Sequence, residues 1–146
     1  MRETSTAHSD QVWTMIFAAW AVALFATIGA LFIGEVMGQA PCDLCWYQRA
    51  AMFPLVLVLG IATLRPEGEG WRYALPVAAV GLAIALFHTL LYFKILPTAI
   101  KPCGQGPSCS GDGMTVFGEL PIPLLSVLAF SVIAVLLILV RQRTKP

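Results

Sequence analysis

Four long apolar runs, separated by polar connections, organise the chain. They cover residues 12–34, 44–64, 73–93 and 120–140. The first, third and fourth contain no lysine, arginine, aspartate or glutamate, and the second is broken by Arg49 alone. A hydrocarbon core of about 30 Å needs about 20 helical residues, so each run is long enough to cross it. Lipid offers no partner to an open backbone N–H or C=O, so spans of this length must be helices. The pattern therefore predicts an all-α membrane protein, a single four-transmembrane-helix bundle over 1–146. The first run follows a polar segment and is too long for a signal-peptide core, so it is expected to be retained.

The connections differ in kind. "EVMGQAPCD" is short, and "RPEGEGWRY" is a polar turn. The long connection over 94–122 is rich in proline and glycine, which predicts an irregular surface rather than a helix. Pro54 and Pro76 fall inside spans, where membrane helices tolerate proline. Gly60 and Gly81 are small enough to let neighbouring helices approach.

Composition agrees with lipid as the solvent: 58% of the 146 residues are hydrophobic and only 12% charged. A net charge of +1 gives no basic stripe for nucleic acid. The cationic residues are unevenly placed. Arg2, Arg65, Arg72, Arg141, Arg143 and Lys145 fall on one side of the predicted bundle; Arg49, Lys94 and Lys101 fall on the other. This bias puts both termini in the cytoplasm and the long loop outside, together with all four cysteines.

Cysteine chemistry sharpens the picture. Cys42 and Cys45 form a C-x-x-C pair at the start of the second span; Cys103 and Cys109 lie in the long loop. The extracytoplasmic side favours disulfides. A C-x-x-C ring is too short to constrain the unfolded chain much, which fits turnover better than a structural brace. Two inert disulfides and a cysteine-ligated metal site remain alternatives. A c-type haem needs histidine after the motif, where Trp46 stands.

Helix geometry adds to the redox reading. If the second span begins near Pro41, Cys42 falls in its first turn, where the positive end of the helix favours a thiolate. Cys45 and Arg49 are four residues apart and share a face. A charge within a span is costly and commonly has a partner, so Arg49 is a candidate stabiliser of a thiolate or of a reduced acceptor. His88 lies five residues before Phe93, roughly 8 Å inward and level with Arg49. With Trp46, Tyr47, Phe53, Phe87 and Tyr92 around them, the two could hold an aromatic molecule bearing carbonyl oxygens.

The whole pattern resembles the DsbB/BdbC family of disulfide-bond formation proteins. The resemblance is carried by "CDLCWYQR", "HTLLY" late in the third span, a second cysteine pair before the fourth, and "PIPLLSVLAF" opening that span. It implies a bacterial cytoplasmic-membrane enzyme that reoxidises an extracytoplasmic, DsbA-like thioredoxin-fold thiol oxidase and passes the electrons to quinone. Ubiquinone and menaquinone both meet that expectation.

By the same resemblance, Cys103 is the residue attacked by the partner thiol, Cys109 attacks Cys42, and Cys45 is the thiolate that faces the quinone, supported by Arg49, with His88 beside the same ring. Only "GQGPS" separates the loop cysteines. That spacing is closer to Bacillus-type members than to the best-known enterobacterial ones, in which a longer segment with a short membrane-surface helix intervenes. Either the loop moves so that Cys109 reaches Cys42, or Cys103 carries the transfer. Residues Ser110 to Glu119, with Met114, Val116 and Phe117, are candidates for a surface-lying segment. A vitamin-K-epoxide-reductase-like enzyme is a second quinone-linked alternative, but its C-x-x-C is expected at the start of the last helix.

Overall fold

The computed structural model describes residues 2–65, 69–96, 115–116 and 119–144. Four helices dominate it: α1 (Arg2–Leu31), α2 (Asp43–Leu64), α3 (Trp71–Tyr92) and α4 (Ile122–Thr144). All four are long and apolar enough to span a membrane. The protein is thus a multi-pass, all-helical membrane protein.

Each helix packs against two others: α1 lies against α2 and α4, and α3 lies against the same two. The short connections between α1 and α2 and between α2 and α3 make those neighbours antiparallel, as in an up-and-down bundle. Leu55, Leu59, Phe130, Ile133 and Leu137 are fully buried at its centre, filled out by Ala19, Ala23 and Ala78. Large apolar side chains such as Leu57, Ile61 and Leu64 point outward, as the lipid-facing surface of a membrane bundle must.

Small residues set the helix spacing. A Cβ at Gly81 of α3 would lie 2.2 Å from Phe130 of α4, and one at Gly60 of α2 would lie 3.0 Å from the Trp20 indole nitrogen of α1. Pro54 and Pro76 are both accommodated within continuous helix.

One end of the bundle is basic. Arg65 closes α2, Arg72 opens α3, and Arg141 and Arg143 lie in the last turn of α4. Arg143 donates to the Gln11 side chain, and both Arg72 and Arg141 lie over the Trp71 ring.

The opposite end carries the irregular features. After Leu31, α1 widens into a π-turn over Phe32–Val36. Gly38 then takes φ +68°, a left-handed conformation that suits glycine, and the chain turns toward α2. Between α3 and α4, Thr115–Val116 (β1) pairs antiparallel with Leu120–Pro121 (β2), so α4 begins at Ile122, just past the strand. Of the expected surface-lying segment 110–119, the described part is therefore extended ribbon; Met114 and Phe117 lie outside the described residues. Gln39 ties this ribbon to the α1–α2 connection by donating its Nε2 to the Thr115 carbonyl at 3.3 Å.

Candidate redox site

The site grows from the first two turns of α2. Pro41 precedes the helix, Cys42 takes the extended N-cap conformation, and its sulfur accepts the Cys45 N–H at 3.3 Å. A free N-terminal N–H is thereby satisfied by a thiol in the place where serine or aspartate usually serves. The same turn brings the Cys42 and Cys45 sulfurs to 2.8 Å. Cys42 is fully buried in a cluster with Leu44, against which Ile84, Phe87, Leu91 and Tyr92 of α3 pack, whereas Cys45 is partly exposed.

At the N-cap, just outside the span, the Cys42 thiol is held below its ordinary range. The hydrogen bond with the Cys45 thiol contributes most; burial opposes it, and His88 and the Cys45 N–H add to it.

Arg49 lies one turn beyond Cys45 and is only 8% exposed. Its side chain turns inward onto α1, where NH2 donates to the Ala30 carbonyl at 2.5 Å, and its guanidinium carbon sits 5.3 Å from the Trp46 ring centre. No carboxylate pairs with it among the described residues, where the only ion pair is Arg72 with Glu69. Gly34, in the π-turn, makes room for it: a Cβ there would lie 2.8 Å from NH2. A π-turn in a membrane helix commonly marks a functional position, and here it shapes the wall against which the cation rests.

Arg49, Cys45 and Gln48 line one cavity of about 480 Å³ between α1, α2 and α4. Its walls are otherwise mostly apolar, with Phe25, Ile33, Met52, Phe53 and Phe130 among them. A few polar groups in an apolar cavity of this size is the usual composition of a small-molecule site. Three further polar residues, Thr27, Gln39 and Ser126, line it, and the Thr27 hydroxyl and Gln39 Oε1 are buried without a hydrogen-bond partner among the described residues. An apolar ring with carbonyl oxygens fits this lining, with Arg49 as its strongest donor.

His88 is placed differently from the expectation. It is level with Arg49 but on another side of α2, fully buried, and it does not line the cavity. Its Nε2 is 3.8 Å from Cys42 Sγ and its Nδ1 is 3.0 Å from Gln48 Nε2. The physical reason is helix rotation: Gln48 and Arg49 are successive residues about 100° apart around the axis, so one reaches α3 and the other α1. Of the five aromatic residues expected around a ligand, Phe53 lines the cavity. Phe87 and Tyr92 pack at Cys42 instead, and Trp46 and Tyr47 are more than half exposed. Gln48, Thr27 and Gln39 carry no motif that would single them out in the sequence. Cys103 and Cys109 lie outside the described residues.

The ligand atoms of Cys42, Cys45 and His88 lie within 4.8 Å of one another, which raises the metal alternative. Two thiolates on a tetrahedral zinc, with Zn–S of about 2.3 Å, sit roughly 3.8 Å apart. The 2.8 Å between these sulfurs suits exchange between thiol and disulfide better.

Comparison with known proteins agrees. Residues 11–140 match the family described as disulfide bond formation protein DsbB. A probable disulfide formation protein of Metapseudomonas resinovorans is 55% identical over 139 residues, covering 94% of this chain and 96% of that one. Disulfide bond formation protein C of Bacillus subtilis (strain 168) is 41% identical over 126 residues, 86% of this chain and 91% of the relative. A probable disulfide formation protein of Deinococcus radiodurans is 40% identical over 139 residues, 89% and 90% of the two chains. No solved structure matches the chain. With a C-x-x-C pair at the helix start, four membrane-spanning helices and a family match along nearly the whole length, the chain belongs to the DsbB/BdbC family of disulfide bond formation proteins.

Proposed function

We propose that the protein is a dithiol:quinone oxidoreductase that reoxidises an extracytoplasmic thioredoxin-fold thiol oxidase and delivers the electrons to a membrane quinone. The observation that carries this reading is that Cys45 and the buried Arg49, which pairs with no carboxylate among the described residues, line one apolar cavity, with Cys42 next to Cys45.

The basic end of the bundle faces the cytoplasm under the positive-inside rule, with both termini there and the cysteine end outside. Cys103 and Cys109 then share a side of the membrane with Cys42 and Cys45. Cys103 forms the mixed disulfide with the partner, and Cys109 attacks Cys42, releasing Cys45 as a thiolate. Each exchange conserves one disulfide, and its rate depends on how well the departing thiolate is stabilised. The helix N-terminus and Arg49 supply that stabilisation at the inner pair.

A bound quinone supplies a two-electron, two-proton acceptor. Arg49 would hold one of its oxygens by a charged hydrogen bond, the apolar walls would hold the ring, and Cys45, in the same lining, would face it. The bond to the Ala30 carbonyl holds Arg49 against α1.

The test supplies purified protein with a reduced thioredoxin-fold partner and a soluble short-chain quinone, and follows quinone absorbance. Cysteine-dependent loss of quinone absorbance is expected. A wild-type protein that reduces no quinone under these conditions would overturn the reading.

A further inference from the structure

Behind the cysteine pair, running from the cavity wall toward α3, Gln48, His88 and Cys42 form a buried chain. Gln48 and His88 are 5% and 0% exposed, and Cys42 is 0% exposed. The Gln48 amide nitrogen is 3.0 Å from His88 Nδ1, and His88 Nε2 is 3.8 Å from Cys42 Sγ, within hydrogen-bonding range for a large sulfur. An amide N–H can only donate, so Nδ1 must accept. The ring proton of neutral His88 then sits on Nε2, the nitrogen that faces the sulfur.

We propose that Gln48 is a positioning residue that fixes His88 as an Nε2–H donor to Cys42, so that His88 serves the inner thiol pair rather than the quinone. Three consequences follow from the geometry. First, the donor is neutral and dry, so the Cys42 thiolate is stabilised in a place where a second cation beside Arg49 would be costly to bury. Second, the two cysteines have separate supports: Cys42 leans on α3 through His88, and Cys45 shares the cavity between α1, α2 and α4 with Arg49. Third, Gln48 touches both sides, because it also lines the cavity.

The inference rests on the thiol-exchange reading above. Forming the Cys42–Cys45 bond from the Cys42 thiolate and the Cys45 thiol removes two electrons and one proton from the pair; the quinone accepts both electrons and that proton, and takes its second proton from solvent, into which Cys42 released its own on ionising. The other ionisable groups near Cys42 among the described residues are Asp43 beside it in the chain, Cys45 in the same turn, Arg49 facing α1, and Tyr92 packed from α3. Nδ1 is held by Gln48.

The test uses the full chain with Cys45, Cys103 and Cys109 changed to alanine, leaving Cys42 as the only thiol. The pH midpoint of its alkylation is compared among this protein, Gln48→Leu, His88→Leu and the double variant. Gln48→Leu and His88→Leu should each raise the midpoint, by about one pH unit for a lost hydrogen bond to a charged sulfur. The double variant should shift no further than His88→Leu alone, because the two act through one chain. Thermal midpoints are taken alongside: a raised alkylation midpoint with an unchanged thermal midpoint reports the lost hydrogen bond rather than a general loss of packing.

A midpoint unmoved by Gln48→Leu but raised by His88→Leu would overturn the positioning role, and one unmoved by both would overturn the chain. The stated shifts in a protein whose wild type reduces no quinone would support the chain while refuting the oxidoreductase reading.

Discussion

Gly34 and Arg49 fit each other as cradle and cation: a Cβ at Gly34 would come within 2.8 Å of the guanidinium NH2. The near atom is the tip of a flexible side chain, so Gly34→Ala should displace the guanidinium rather than unfold the helix. The expected outcome is a several-fold rise in the apparent KM for quinone with a nearly unchanged thermal midpoint. Equal loss of stability and quinone affinity would instead make Gly34 a packing residue.

Removing the cation itself is the stronger change. Arg49→Ala should raise the apparent KM for quinone about tenfold or more, the scale of a lost charged hydrogen bond in a dry site. The cysteines should still form disulfides, since neither sulfur depends on the guanidinium for its position. Arg49→Lys should rescue only part of the loss, because an ammonium cannot donate to the Ala30 carbonyl and to a ligand oxygen with the geometry of a planar fork. Quinone titrations of the purified variants, with free-thiol counts after oxidation, check both statements.

The residues that were legible in the sequence share one helix end. Cys42, Cys45 and Arg49 fall within eight residues, so helical spacing alone relates them. Span positions follow from apolar runs, because lipid demands continuous helix. What the sequence could not convey was rotation. In a soluble protein an apolar stripe says which face of a helix points inward, but a membrane helix is apolar all round and carries no such phase. The level of His88 could therefore be read by counting residues, while its side of α2 could not. Gln48 was hidden for the same reason: its partner is forty positions away on another helix, and a glutamine within a span announces no direction. The cavity was hidden too, since its walls come from α1, α2 and α4 together.

The two cysteine pairs should be separable by mutation. Cys103→Ala should block oxidation of the thiol partner while leaving the Cys42–Cys45 bond able to form, because that pair is brought together within one helical turn. Trapping mixed disulfides with the partner, alongside alkylation of Cys42 and Cys45 before and after quinone addition, reads both halves. Undiminished partner oxidation by the Cys103→Ala protein would assign first attack to another cysteine.

A change well away from the thiols should reach the cavity through packing. Gly81 of α3 leaves space for the Phe130 ring of α4: an added Cβ would lie 2.2 Å from its Cε1, and the ring is fully buried. Phe130 also lines the cavity. Gly81→Ala must therefore push the ring from its seat or spread α3 from α4, and overpacking of this kind costs about 1–3 kcal/mol. The displaced ring has the cavity as open space beside it, so quinone affinity should fall together with the thermal midpoint. Phe130→Leu, which shortens the obstructing side chain, should restore much of the stability in the Gly81→Ala background although it is destabilising alone. Thermal unfolding in detergent of the two single variants and the double variant measures that coupling, and strictly additive losses would mean that the two residues do not share the space.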